Sequence, residues 1–142
     1  MSLKLATCIF LRGWGMTVYV ATTEDITVRV RPVYLDGQSS VLERKFVFAY
    51  FVRIENNGSE SVQLLRRHWY IHDGSGEVKE VEGEGVVGSQ PTIEAGKWHE
   101  YNSFCVLESF EGSMEGTYLM ERPNGEQFHV AIPKFTLRAL SN

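Results

Sequence analysis

Phe46-Val47-Phe48-Ala49-Tyr50-Phe51-Val52-Arg53-Ile54 is the stretch whose reading decides the fold. With the side-chain period of two that a strand imposes, Phe46, Phe48, Tyr50, Val52 and Ile54 share one face, and Val47, Ala49 and Phe51 share the other. A strand apolar on both faces is central in its sheet, or its outer face meets a second layer. On its N-terminal side, Ile26 to Leu35 alternates more cleanly. Ile26, Val28 and Val30 are set against Thr27, Arg29 and Arg31, so both arginines lie on the face opposite the apolar one. On its C-terminal side, Asn56-Asn57-Gly58-Ser59 supplies residues that tolerate positive φ and predicts a hairpin return. The return strand, Val62 to His72, carries Leu65, Trp69 and Ile71 on one face, and the adjacent Leu64-Leu65 predicts a bulge. Beyond it come a turn at Asp73-Gly74-Ser75-Gly76, a polar strand Glu77 to Glu82 and a strand His99 to Leu107 of mixed faces. Thr117 to Glu121 and Phe128 to Ile132 then flank the turn Pro123-Asn124-Gly125, and Phe135 with Leu137 closes the chain. No stretch holds a helical period for three turns. The expectation is an all-β domain of seven to eight short, mostly antiparallel strands, arranged as a two-sheet sandwich with a small barrel as the competing arrangement.

The chain has 142 residues, which is one ordinary domain with one core. Residues 1–15 are set apart as an N-terminal extension on which no element is built, and residues 16–142 form the domain. Hydrophobic residues at 43% and charged residues at 23% exclude a disordered, highly charged chain. A net charge of -4 argues against general nucleic-acid binding, which shows as a basic excess. Cys8 and Cys105 lie far apart in no CxxC spacing, so neither a disulfide framework nor a zinc knuckle is indicated and a reducing cytoplasm fits. The apolar run Leu5 to Leu11 is too short to span a bilayer, so no membrane partner is expected.

Three clusters carry chemistry. Gly83-Glu84-Gly85-Val86-Val87-Gly88 matches GxGxxG, which makes Gly83, Gly85 and Gly88 candidates for a phosphate or cofactor loop. The polar strand before it and Pro91 after it contradict a dinucleotide fold, because such a loop needs a buried strand on one side and a helix on the other. Glu80, Glu82 and Glu84 alternate on one strand face and are candidate ligands for a divalent metal, with a solvated face or an edge guard as the plainer account. Arg29, Arg31, Arg66 and Arg67 are candidates for an anion or acidic-peptide site if their strands lie close, with cross-strand pairing to glutamates as the alternative. On a strand, His68 and His72 are too far apart to chelate one ion together, and His99 and His129 read as packing or surface residues. No nucleophile motif, zinc-protease motif or cysteine-protease motif is present, so no catalytic residue is assigned and the chain is not expected to be an enzyme.

One resemblance adds to this reading. Val30-Arg31-Pro32, Ile54-Glu55-Asn56, Leu64 to Trp69, Gly83 to Pro91, Gly112 to Tyr118 and Ile132-Pro133-Lys134-Phe135 together resemble the bacterial ApaG family in order and content, from about Val18 to Arg138. The resemblance implies an immunoglobulin-like, fibronectin type III-like β-sandwich. It also implies an association with cobalt and magnesium tolerance. Related domains in eukaryotic F-box proteins and in a DNA polymerase delta-interacting protein imply a protein-binding module. The expectation is therefore an interaction module with a protein partner, self-association being one form of that. The alternative is a small-ligand protein that binds a nucleotide or pyrophosphate anion, or a divalent metal, at the glycine loop and neighbouring charges.

Overall fold

A computed structural model describes residues 7–11 and 16–139. The strands are β1 (Thr7–Leu11), β2 (Met16–Thr23), β3 (Ile26–Tyr34), β4 (Phe46–Asn56), β5 (Val62–Asp73), β6 (Val78–Glu84), β7 (Thr92–Ile93), β8 (Trp98–Leu107), β9 (Glu111–Glu121) and β10 (Gln127–Arg138). They form two antiparallel sheets, β1-β2-β3-β4-β8 and β10-β9-β5-β6, with the short β7 also paired to β5. β10 packs across onto β2 and β3, which closes a sandwich and not a barrel. No helix among the described residues is long and apolar enough to cross a membrane.

β4 is central, between β3 and β8, as a strand apolar on both faces should be. Its even-numbered face meets the opposite sheet, where Tyr50 lies 5.4 Å from Trp69 and 5.8 Å from Phe135 between ring centroids. β3 keeps its expected parity, with Ile26, Val28 and Val30 in the core. The strand count is higher than expected because β1 falls in the segment set apart as an extension and because β2 and the two-residue β7 carry too little pattern to stand out, while β10 joins Phe128–Ile132 and Phe135–Leu137 into one strand. Thr7–Leu11, inside the segment set apart as an extension, pairs with β2.

The turn after β4 differs from its expected form. β4 and β5 lie in different sheets, so Asn56 to Ser59 begins a crossover and not a hairpin. Neither Asn56 nor Asn57 has positive φ. The turn is made by the Asn56 side chain, which is buried: its Nδ2 donates to Glu60 O at 2.8 Å and Ile93 O at 2.9 Å, and its Oδ1 accepts from Gly58 N–H at 3.0 Å. An amide satisfied on three sides can be buried at the junction of two sheets without an orphaned polar group.

The bulge in β5 is present where the paired leucines predict it. Leu64 pairs with Met120 and Arg66 with Leu119, so Leu65 has no opposite partner. The inward residue is Leu64, fully buried, and not Leu65. One extra residue reverses the parity of everything after it. Arg67, Trp69 and Ile71 therefore share the face of Tyr118, Gly116 and Met114, while Arg66, His68, Tyr70 and His72 take the outer face.

Candidate functional site

The bulge decides what the glycine loop does. Arg67 is turned toward the interior, and its guanidinium lies against Gly83, where a Cβ would sit 3.1 Å from both terminal nitrogens. From there Nη1 donates to the carbonyls of Glu84 at 2.9 Å and Gly85 at 3.0 Å. Leu65 O accepts from Gly85 N–H and from Gln90 Nε2, each within 3.0 Å. Val86 to Ser89 is a tight turn closed by Val86 N–H to Ser89 O and Ser89 N–H to Val86 O. Its two central residues, Val87 and Gly88, have φ of +47° and +76°. The loop is thus a bulge buttressed by Arg67, and its inner carbonyls face the cation. Gly83 gives room to a guanidinium, Gly85 supplies a left-handed turn, and no helix N-terminus follows.

Arg67 also faces a layer of phenols. Tyr118 is fully buried and shares a short hydroxyl–hydroxyl hydrogen bond with Tyr101 across the two sheets. Burial pushes the Tyr101 and Tyr118 phenols, and Tyr50 beside them, above the ordinary tyrosine range; Arg67 pulls all three the other way. No buried side-chain nitrogen or oxygen among the described residues lacks a hydrogen-bond partner. The layer fastens the two sheets together and leaves no polar atom aimed at a ligand.

The acidic ridge stands on the outer face of β6. Glu82 is opposite His68, Glu80 opposite Tyr70, and Glu84 opposite Arg66. His68 Nε2 is 2.6 Å from Glu80 Oε1, and its Nδ1 is 3.4 Å from Glu82 Oε2. The imidazole stacks on Tyr70 with centroids 4.7 Å apart. One ligand atom from each of His68, Glu80 and Glu82 can be chosen so that all lie within 4.8 Å of one another. The expected trio of glutamates is therefore divided: two converge on a histidine and Glu84 is matched with an arginine. A strand cannot show this, because the third donor comes from the neighbouring strand through the bulged register. His72, four residues on, has its own partner, Glu115 Oε1 at 3.3 Å.

The four arginines are not brought together. Arg29 and Arg31 stand on the outer face of β3, Arg66 on the outer face of the other sheet, and Arg67 between the sheets. Arg29 instead joins Arg53, a residue that sequence patterning does not single out. Glu55 Oε2 accepts from Arg29 Nε at 3.2 Å and from Arg53 Nε at 2.9 Å. Arg53 lies over the Trp98 ring at 4.2 Å and Arg31 over the Phe51 ring at 4.5 Å. Arg29, Arg31, Arg53 and Phe51 border a groove of about 370 Å³ that also takes in Val18, Glu100 and Asn102. Next to it β8 turns Trp98, Phe104 and Val106 outward, 52%, 57% and 46% exposed, and β4 adds Phe51 at 40%. By register all four share the face opposite the core. The signal was in the sequence as even-numbered Trp98, Phe104 and Val106, which only the burial of Cys105 and Leu107 on the odd face identifies as outward.

The remaining candidates are structural. Cys105 is buried, and burial pushes its thiol up to about 11, so it is not a nucleophile at neutral pH. His99 is partly buried, which holds its pKa below the usual imidazole range, and His129 is exposed.

The fold and its decorated outer faces define an immunoglobulin-like β-sandwich protein. The ApaG domain profile matches residues 36–122. The chain is 53% identical over 120 residues to Protein ApaG of Paramagnetospirillum magneticum and 50% identical to that of Rhodospirillum centenum, in each case covering 84% of this chain and 92% of the relative. Among solved structures it matches the putative ApaA protein from Bordetella pertussis at 45% identity with a TM-score of 0.80, over 83% of this chain and 96% of that one. The chain belongs to the ApaG family.

Proposed function

We propose that this chain is a non-catalytic, cytoplasmic protein-interaction module whose contact surface is the outer face of the first sheet together with the free edge of β8. The observation that carries the reading is the stripe Phe51, Trp98, Phe104 and Val106, each at least 40% exposed on one face. Phe104 and Val106 follow one another on that face, Phe51 lies diagonal to Phe104 on the next strand, and Trp98 stands further along beyond Glu100 and Asn102. Large apolar groups gathered on one face cost free energy when left in water and mark contact sites. Arginines stacked on two of these rings add oriented donors at the border of the patch, the composition that binding centres favour. The test is site-specific photocrosslinking in cells, with a photoreactive phenylalanine analogue at position 104 and, as control, at Tyr70 on the opposite sheet. The expected result is a discrete adduct from position 104 and none from position 70. Absence of an adduct from positions 51, 98, 104 and 106 alike would refute the reading.

A second reading is favoured by one specific observation, the convergence of His68, Glu80 and Glu82. One imidazole nitrogen with two carboxylates suits cobalt, manganese or zinc better than magnesium, which prefers oxygen alone. A bound ion would replace the proton that His68 shares with Glu80. Under this reading cobalt raises the unfolding midpoint of the protein saturably and fails to do so for His68→Gln; a flat response of the unaltered chain to millimolar cobalt sinks it.

A further inference from the structure

Resting on the interaction-module reading, we propose that the partner presents an acidic segment to the outer face of the first sheet. Its carboxylate is held in the groove between Arg29 and Arg53, and a large apolar residue further along the same segment rests on Phe104 and Val106. The two arginines stand directly opposite each other on β3 and β4, and like charges in that relation destabilise a strand pair. The one carboxylate they share does not use them up. Glu55 Oε2 accepts from Nε of each, while the terminal nitrogens of both guanidinium groups donate to no described residue. Arg53 Nη1 stands 3.9 Å from Glu100 Oε1, beyond hydrogen-bond distance. Stacking on Trp98 occupies one face of the Arg53 guanidinium and leaves its in-plane N–H groups, which are the ones that match a carboxylate fork. The two side chains are 39% and 36% exposed, so an incoming anion reaches donors that are already partly out of water.

Charge and spacing select the chemistry of the occupant. On this face, by register, Arg29, Arg31 and Arg53 outnumber Glu55 and Glu100. On the outer face of the other sheet, the three glutamates of β6 with Glu111, Glu115 and Glu121 of β9 outnumber Arg66, Arg138 and the bulge residue Lys134. A chain of net charge -4 thus keeps a cation-rich sheet face where its aromatic residues are exposed. Three cations beside two carboxylates fall short of the basic excess that a nucleic-acid backbone calls for, but they suit a carboxylate or two. A small free anion would leave Phe104 and Val106 untouched. By register these lie ~15 Å from the arginine pair, at ~3.3 Å per residue along a strand and ~4.8 Å between strands, a span that about four or five residues of extended peptide cover. Asn102 lies between the two subsites, and its side-chain amide, which meets no described partner, offers a donor and an acceptor to a peptide backbone.

The probe is a display library of random dodecapeptides panned against the full chain, followed by fluorescence anisotropy of the selected peptides. These should carry Asp or Glu about four or five positions from Phe, Trp or Leu, and should bind more weakly as salt is raised. Arg29→Gln should weaken them about 10-fold, the loss of a charge-assisted hydrogen bond. Glu100→Gln, which removes a carboxylate that competes for Arg53, should tighten them about 2–5-fold. A gain of affinity does not come from a damaged fold, so the second variant decides even where the first lowers stability. Failure to select any peptide, a selected set without acidic residues, or affinities that both variants leave unchanged overturns the proposal. Saturable binding of pyrophosphate or of phosphatidylglycerol vesicles, abolished by Arg29→Gln while no peptide is selected, overturns it as well. The photocrosslink in cells separates this from the broader reading. An adduct from position 104 whose yield falls with Arg29→Gln agrees with an acidic partner, an adduct of undiminished yield removes the acidic partner and keeps the module, and no adduct from positions 51, 98, 104 and 106 alike removes both.

Discussion

Replacing Gly85 by alanine should unfold the loop locally, whereas the same change at Gly88 should cost only the backbone penalty. The two glycines lie three residues apart in one GxGxxG run, and both have positive φ, +62° and +76°. An alanine at either position takes on the left-handed penalty, roughly 1 kcal/mol. They differ in surroundings. A Cβ at Gly88 meets nothing within 4 Å, while a Cβ at Gly85 would lie 2.1 Å from Ser89 O and 2.8 Å from Ser89 C, both backbone atoms that cannot turn away as a side chain does. Ser89 must move, and with it the Val86 N–H to Ser89 O and Ser89 N–H to Val86 O bonds, together about 2 kcal/mol. The expected loss is therefore about 3 kcal/mol for Gly85→Ala against about 1 kcal/mol for Gly88→Ala. At roughly 3 °C per kcal/mol for a domain of this size, thermal unfolding should fall by ~10 °C and ~3 °C. Circular dichroism melts of the two variants read the difference directly. Equal midpoints would refute the packing argument. If Gly85→Ala kept full stability yet abolished binding of a nucleotide or pyrophosphate, the loop would have to be reassigned as a ligand site.

Two further predictions rest on the inter-sheet layer and on the turn after β5. Tyr118→Phe leaves the Tyr101 hydroxyl without its partner and should lower stability by about 1–3 kcal/mol, while the double change Tyr101→Phe with Tyr118→Phe should recover part of that loss; additive losses in a double-mutant cycle would mean that the hydroxyl bond is not coupled. For Asp73, burial raises the carboxyl pKa, but hydrogen bonds from Glu108 N–H at 2.7 Å, Ser109 Oγ at 2.6 Å and Ser75 N–H at 3.1 Å outweigh it and leave the pKa below its ordinary 3.8. A depressed folded-state pKa adds stability above 3.8 that disappears as pH falls through the lowered value, so Asp73→Asn should be less stable at neutral pH and should lose less between about pH 5 and pH 3; parallel pH profiles would contradict this.

What could be read from the chain and what could not divides along the two-residue period. Within any one strand the parity is visible, and Ile26, Val28, Val30 and the even residues from Phe46 to Ile54 are buried as the alternation requires. Across strands the period says nothing, and every site depends on the cross-strand relation. The division of Glu80, Glu82 and Glu84 between His68 and Arg66 comes from the β5–β6 register, and the meeting of Arg29 with Arg53 and Glu55 from the β3–β4 register. The bulge at Leu65 is the case in which a local feature had non-local consequences. Adjacent leucines announced it, yet they did not say which leucine would turn inward. That choice fixes whether Arg67 is a surface cation available to a ligand or the buttress of the glycine loop. With Leu64 inward, Arg66 and Arg67 fall on opposite faces, the candidate arginine site dissolves, and GxGxxG becomes the means by which β6 passes the bulge and gives way to β7 on the same strand. Of the motifs that invite a ligand-binding reading, the glycine loop thus has its partner, Arg67, between the sheets, while Glu80 and Glu82 meet His68 on the outer face. The outward Phe51, Trp98, Phe104 and Val106 on β4 and β8 belong to neither motif, and that is why the argument for function rests there.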